Sequence, residues 1–547
     1  MSTRSVPAML LLVVLANLAL VWLLPILPCQ DLPQHLAYAK IFADHETNAL
    51  FQRYYALPER FQPYETTHVV LALIARISSV MTSIRVVMGV YVLLTFAGFH
   101  AFASAVHRRP IREPLAIDLL AVLIVWSPAT CMGFLPYVVC VPIFLFACAS
   151  LLRATTRSRP RVHPAILVAC STLLGSIHLV AAGALLAFAI LYVAFSSQSD
   201  RRRAIAAAAV VSATLLLVFV VWRSAGSLLG ERATEGLSLR EALAASAGFE
   251  AVNAMFRLTW HGLPTTLNYI VWTVLGPFRG IGLVLVAASA APWIALLRRR
   301  IDSWPKGQAS LRKAAIAFFV FSALLPWGVA APSEVTFLSL RMIGLAFALL
   351  LALVPPDVFG SRANHRALAA FSLFFVAHFA YRAAEFSKES AGLFRLLDRA
   401  RPPGVLLSMS FHDESSAFAT MFRLGHFLPL YYTVEAGGID SQFWARYTAH
   451  LPIDYRPGMK PAQPDDWTPE QFDPARHLAD VDFVLQHRAG AGDPGHVRKA
   501  SARVEARLEA HTSKIACEGS WCLYRVEPDG VIARASTSAA LRTSPSP

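Results

Sequence analysis

The sequence predicts an α-helical polytopic membrane protein of about eleven transmembrane helices, followed by a C-terminal extracytoplasmic α/β domain. Three observations predict it. The chain is 56% hydrophobic and only 15% charged, with a mean hydropathy of +0.50, so it carries more apolar surface than a soluble core can bury and the surplus must face lipid. Its apolar residues are gathered into blocks of about 17 to 25, the length that crosses a hydrocarbon layer of ~30 Å. Its basic residues stand between those blocks.

The first block, residues 6 to 28, follows a short charged start. It is longer than the ~7 to 15 residue core of a signal peptide and no small-x-small cleavage site follows, so it reads as an uncleaved first helix. Pro28 directly before Cys29 argues against lipid attachment at that cysteine. Further blocks run 84 to 106, 114 to 129, 136 to 152, 164 to 178, 180 to 196, 204 to 222, 268 to 297, 314 to 331, 337 to 355 and 367 to 384.

With the N-terminus inside, the six inside loops hold 19 Lys and Arg against four acids, Glu113, Asp200, Asp302 and Asp357. The remainder of the chain is close to neutral, so the formal charge of +14 follows from the positive-inside rule and calls for no nucleic-acid partner. His68 to Val80 is apolar but interrupted by Arg76. Counting it as a crossing would place Arg108-Arg109 outside, so it is laid in the outer interface.

The organisation that results is a transmembrane domain over 1 to 384 with outer loops 29 to 83 and 223 to 267. An extracytoplasmic α/β domain over 385 to 535 and a disordered tail over 536 to 547 complete it. The absence of any Asn-x-Ser/Thr sequon favours a bacterial plasma (inner) membrane, and membrane lipids are the surrounding partners. No internal repeat or paired broken helix of the inverted-repeat transporter type is visible.

Within the C-terminal domain, Ala391 to Ala400 reads as helix, Val405 to Met409 as strand, Ser415 to Leu424 as helix, and Pro452 to Pro474 as loop. Asp482 to Gln486 reads as strand, Val497 to Ala510 as helix, and Ile515 to Val526 as a hairpin turning at Gly519. Asp480-Val-Asp482 reads as a strand start rather than a metal-binding Asp-x-Asp. Cys517 and Cys522 flank the hairpin turn in an oxidising compartment, which makes a local disulfide the expectation, against two free thiols. The other five cysteines lie in or beside apolar blocks, as small apolar residues.

Chemistry is expected where the first block meets the outer boundary, at Asp31-Leu-Pro-Gln-His35. Asp31 and His35 are four apart and share a face on a helix, where they could deprotonate a hydroxyl or hold a divalent ion. Capping alone would also explain the aspartate, since Asp31, Pro33 and Gln34 make a capping box. The rest of the loop, with Tyr38, Tyr54, Tyr55 and Tyr64, reads as a shelf that could present rings to a sugar or simply be amphipathic. Cations near the outer boundary that could meet a phosphate are His178, Arg341, Arg257 and His261, each of which could instead pack or anchor a span.

A span ending in a short acidic motif, an outer loop of amphipathic helices, an interfacial helix and a soluble outer domain resemble the GT-C glycosyltransferases. The bacterial aminoarabinose transferases and protein O-mannosyltransferases are the nearest in architecture. Asp31-Leu-Pro-Gln-His35, Gly133-Phe-Leu-Pro-Tyr137 and His178-Leu179 look like a bacterial GT-C-like family. The resemblance implies a polyprenyl-phosphate-linked sugar donor, an extracytoplasmic acceptor (glycan, lipid or protein), and Asp31 as base or, if a divalent metal ion takes part, as its ligand. Many such enzymes carry paired acids at that place, where this chain has one aspartate and a histidine. The alternative class is a non-catalytic assembly subunit or a transporter on the same scaffold.

Overall fold

The computed structural model describes residues 5–58, 65–155, 162–224, 258–259, 267, 270–272, 309–326, 328–329, 337–359, 361–412, 415–418, 423–446, 453–464 and 468–527. Apart from residues 270–272, the expected span 268 to 297 lies outside the described residues, as does the tail 536 to 547. The chain divides into two compact units: Met1–Leu27, Glu59–Thr67 and Arg85–Arg382 form one, and Pro28–Pro58, His68–Ile84 and Ala383–Pro547 form the other.

The first unit is built from helices. They are α1 (Ser5–Leu23), α5 (Val80–Val106), α8 (Leu135–Thr155), α9 (Val162–Ile177), α10 (Leu179–Phe195), α11 (Gln198–Ser224), α12 (Ala309–Ala323), α13 (Leu338–Ala352) and the first part of α14 (Arg362–Leu397). Five helices among the described residues are long and apolar enough to cross a membrane, and four further apolar helices are shorter. Large apolar side chains point outward from them, such as Leu11, Leu15, Leu93, Leu173, Leu217 and Ile316. In water this surface would be unfavourable, whereas against lipid it costs nothing. The chain is a multi-pass membrane protein.

Polar groups inside this unit are paired. Trp126 Nε1 donates to Asn17 Oδ1 at 2.7 Å, and the Asn17 amide donates to Val13 O. His100 Nδ1 lies 2.7 Å from the buried Asp118 carboxylate, which also accepts from Leu115 N. These two ionisable groups thus pair with each other. Helix contact is close enough to specify a glycine at one place: a Cβ on Gly98 of α5 would meet the Pro142 carbonyl of α8 at 2.9 Å.

The third expected crossing, 114 to 129, is not one continuous helix. It is a 3-10 turn (Ala116–Ala121), α6 (Val122–Val125) and α7 (Pro128–Met132). Pro128 disfavours helical geometry at the residue before it, and Ser127 is extended at φ −66°, ψ 162°.

The second unit holds α2 (Leu32–Asp44), α3 (Ala49–Tyr54) and most of α4 (Glu65–Ile77) together with the C-terminal residues. The expectation grouped the first outer loop with the helices, whereas in this division it packs mostly with C-terminal segments. Strand β1 (Tyr55–Ala56) pairs antiparallel with β6 (Asp454–Tyr455), and Asn48 Nδ2 donates to Gly437 O at 2.9 Å. Helix α14 runs unbroken for 36 residues, joining the expected span 367 to 384 to the expected helix 391 to 400.

A five-stranded sheet in the order β5-β4-β7-β9-β8 forms the centre of this unit. Its strands are β4 (Val405–Ser410), β5 (Ile439–Asp440), β7 (Phe483–His487), β8 (Thr512–Glu518) and β9 (Trp521–Val526). β4 runs parallel to β5 and β7, and β9 is antiparallel to β7 and β8. Every residue of β4 and β7 is buried, as central strands require. Asp482 opens β7 by accepting Val405 N at 2.7 Å, a strand-start role.

The hairpin β8–β9 carries a Cys517–Cys522 disulfide. The helix expected over Ser415 to Leu424 does not form in its described residues. There the Ser415 hydroxyl turns to Glu389 and accepts Ala417 N, a local alternative to helical hydrogen bonding.

Candidate functional site

Two groups of the residues singled out by sequence are described, one in each unit. The first begins where α2 starts. Asp31 precedes α2 with helical backbone (φ −85°, ψ −4°) and makes no side-chain cap hydrogen bond. The capping box is therefore not formed. Cap geometry needs an extended residue, and Asp31 is already within the helical region.

Its carboxylate accepts from Gln30 Nε2 at 3.3 Å and is 4% exposed. Beside it, burial and then the Asp31 charge push the Cys29 thiol up to about 12.

Gln34, the other half of the expected box, reaches away from the helix end. Its amide donates to Gln442 O at 2.9 Å, a buried hydrogen bond, and accepts from the half-buried Trp444 N at 3.0 Å. It clamps α2 to the 440–444 loop.

One turn on from Asp31, His35 Nδ1 sits 2.8 Å from His68 Nε2, both rings buried. One nitrogen must donate and the other accept, so the pair cannot hold two protons on that contact. Tyr38 packs on His68 at 5.0 Å and on Phe443 at 4.5 Å, and Trp444 presents an edge to His35 at 6.5 Å. His68 is a member that sequence reasoning missed. The available signal was a histidine at the start of an otherwise apolar amphipathic helix.

The shelf of exposed rings is not found at its described positions. Tyr38, Tyr54 and Tyr55 are buried, Tyr55 against Phe443 and Tyr455, and desolvation holds the Tyr38 and Tyr55 phenols well above their usual range. Lys40 and Asp44 pair with each other at 2.8 Å. Tyr64 lies outside the described residues.

The second group is in the first unit. Gly133 closes α7 in the left-handed region at φ 79°, and the turn it makes delivers Phe134 and Tyr137 at the start of α8. The Arg341 guanidinium stacks 4.0 Å over the Phe134 ring and 6.0 Å over Tyr137, whose hydroxyl donates to the Arg341 carbonyl. His178, the residue before α10, meets the Tyr137 ring at 5.4 Å.

The motif Gly133 to Tyr137, His178 and Arg341 thus form one cluster, with Tyr137 as the shared member. The Arg341 guanidinium is held on ring faces. Arg257 and His261 lie outside the described residues.

Among the described residues no three His, Cys, Asp or Glu side chains gather as a metal-binding set.

This architecture, a helical multi-pass membrane region with a sheet-containing C-terminal region, is a fold shared with solved structures. Among solved structures with this fold is ArnT from Cupriavidus metallidurans bound to undecaprenyl phosphate. It matches at a TM-score of 0.53 and 10% identity over 97% of this chain and 99% of that one. No family model and no curated protein matches the sequence.

Proposed function

We propose that this chain is a membrane glycosyltransferase that moves a sugar from a polyprenyl-phosphate carrier to an extracytoplasmic acceptor. The observation that carries the reading is the likeness to ArnT along nearly the whole of both chains, that structure holding undecaprenyl phosphate. The buried Asp31, with the His35–His68 pair one turn away, supports it as a place for acid–base chemistry.

In this reading Asp31 takes the proton of an acceptor hydroxyl as its oxygen attacks the anomeric carbon. The bond from that carbon to the carrier's phosphate oxygen breaks, and the polyprenyl phosphate leaves with the electron pair. Displacement in one step inverts the anomeric configuration. His35 supports Asp31, and His68 fixes the tautomer of His35. The cluster of Arg341 and His178 is assigned to the phosphate, whose growing charge a cation stabilises. The protein lies in the bacterial inner membrane with its N-terminus inside and its C-terminal domain outside.

The test is direct. Purified protein in nanodiscs is given undecaprenyl-phosphate sugars carrying a radiolabel and a membrane extract as acceptor source. Transfer of label from the carrier lipid to an acceptor supports the reading. Retention of all label on the carrier, across a panel of pentoses, hexoses and amino sugars, refutes it and leaves the assembly-subunit alternative.

A further inference from the structure

The second unit contains a cavity of about 340 Å³ that the transferase reading does not use. Its lining includes Glu389, Arg395, His412, Ser415, Ser416 and Trp521, brought together from α14, the end of β4 and the β8–β9 hairpin. We infer that this cavity is a binding site for a neutral saccharide of one or two rings. The inference goes beyond the proposed transfer reaction and does not depend on it.

The polar groups are arranged rather than scattered. The Glu389 carboxylate accepts hydroxyl hydrogens from Ser415 at 2.7 Å and from Ser416. With its hydrogen committed, the Ser416 oxygen is left to accept from a ligand, while the Ser415 oxygen already accepts Ala417 N. His412 Nδ1 is 2.9 Å from the Asp493 carboxylate, which holds a proton on that nitrogen and fixes the ring's orientation.

Arg395 gives Nε and one Nη to Glu518 Oε2, at 3.2 and 3.0 Å, and retains further donors on its other nitrogen. A lining that offers both acceptors and donors suits groups that both donate and accept, which is what sugar hydroxyls do.

Charge decides between ligand classes. The described lining carries Lys388 and Arg395 against Glu389 and Glu518, a formal balance of zero with the histidines neutral. A phosphate or an ammonium ligand would gain no net attraction there, so a neutral polyol is favoured. Apolar surface is also present, as sugar rings require for their C–H faces. Phe386 and Leu428 line the cavity, and Trp521 is fixed by stacking at 3.8 Å on His487, whose ring meets His412 edge-on at 5.4 Å. His487 itself is held at both nitrogens by the Ser410 and Ser520 hydroxyls. A volume of about 340 Å³ is at the low end of small-molecule sites, enough for one or two pyranose rings.

The experiment is saturation-transfer NMR on the full-length protein in nanodiscs. The probes are glucose, galactose, mannose, rhamnose, maltose, cellobiose and lactose, with glucose 6-phosphate and glucosamine as charged comparisons. At least one neutral sugar should bind, and Glu389→Gln and Ser416→Ala should each weaken it, the former by about tenfold or more as a charge-assisted hydrogen bond is lost. Variants are compared only when the Cys517–Cys522 disulfide is formed and the melting temperature matches wild type, and Ser416→Ala serves if Glu389→Gln does not fold.

No binding of any neutral sugar overturns the inference. So does tenfold preference for the phosphorylated or amino sugar, or binding unchanged in both variants. A sugar weakened by Asp31→Asn and not by Glu389→Gln would be bound at the transferase site, and this too overturns it.

Discussion

Gln34→Leu offers a quantitative test of how the start of α2 is held. Leucine matches the volume of glutamine but removes two hydrogen bonds, to Gln442 O at 2.9 Å and from Trp444 N at 3.0 Å. Gln442 O then stays buried without its partner, at about 1 to 3 kcal/mol, and the half-buried Trp444 N–H loses its own at about 1 to 2 kcal/mol, so the loop 440 to 444 should lose roughly 2 to 5 kcal/mol of local stability. At 1.4 kcal/mol per factor of ten, that is about 30-fold to a few thousandfold faster opening exchange. Hydrogen–deuterium exchange with mass spectrometry in nanodiscs reads it, on peptides covering 436 to 446 and 30 to 44. The β8–β9 hairpin, which Gln34 does not touch, should exchange as in wild type. Unchanged exchange at 440 to 444 would refute the clamp, and equal acceleration everywhere would show a global rather than a local effect.

Three more outcomes are expected. Ala502→Cys, on an exposed position of the helix Gly495–Glu509, should react with an impermeant maleimide on intact cells, while Arg112→Cys should react only after permeabilisation; the reverse pattern inverts the topology. The five free cysteines are all buried, and Cys29, pushed up to about 12, stays a protonated thiol at pH 8. Iodoacetamide at that pH should therefore label none of the five before denaturant is added, and rapid native labelling of Cys29 would contradict its placement. Replacing Cys517 and Cys522 with serine opens a short loop, so the loss in hairpin stability should be about 2 kcal/mol, measured by exchange of β8 and β9; a change under ~0.5 kcal/mol would show that the crosslink adds nothing to the hairpin.

What was legible in the sequence followed from repeated, local signals. Spans announced themselves by apolar length, and the C-terminal strands Val405–Ser410 and Phe483–His487 by short apolar runs beside turn residues. The motif Gly133 to Tyr137 was visible only through the resemblance to a GT-C-like family.

Other features depend on partners far along the chain. Gln34 looked like half of a capping box because its true partner, Gln442, is 408 residues away. His35 found His68 across 33 residues, and no local pattern marks that pairing. The break at Ser127-Pro128 was hidden by hydropathy, which is blind to the backbone restriction a proline places on its predecessor. The continuity of α14 was hidden in the opposite way: Glu385, Lys388 and Glu389 end the apolar run, but they are good helix formers and do not end the helix.

The account's central claim is that Asp31 is the base of a sugar transfer, and Asp31→Asn tests it most directly. Asparagine keeps the shape and one side-chain oxygen, and since Asp31 makes no side-chain cap bond, a loss of activity cannot be assigned to a lost cap. What disappears is the charge, and with it the ability to take a proton. The measurement is the initial rate of sugar release from labelled undecaprenyl-phosphate donor at matched protein in nanodiscs, wild type against Asp31→Asn. The account predicts normal insertion and a rate lower by about 10² to 10⁴, the usual contribution of a general base. Equal rates for the two proteins would contradict it.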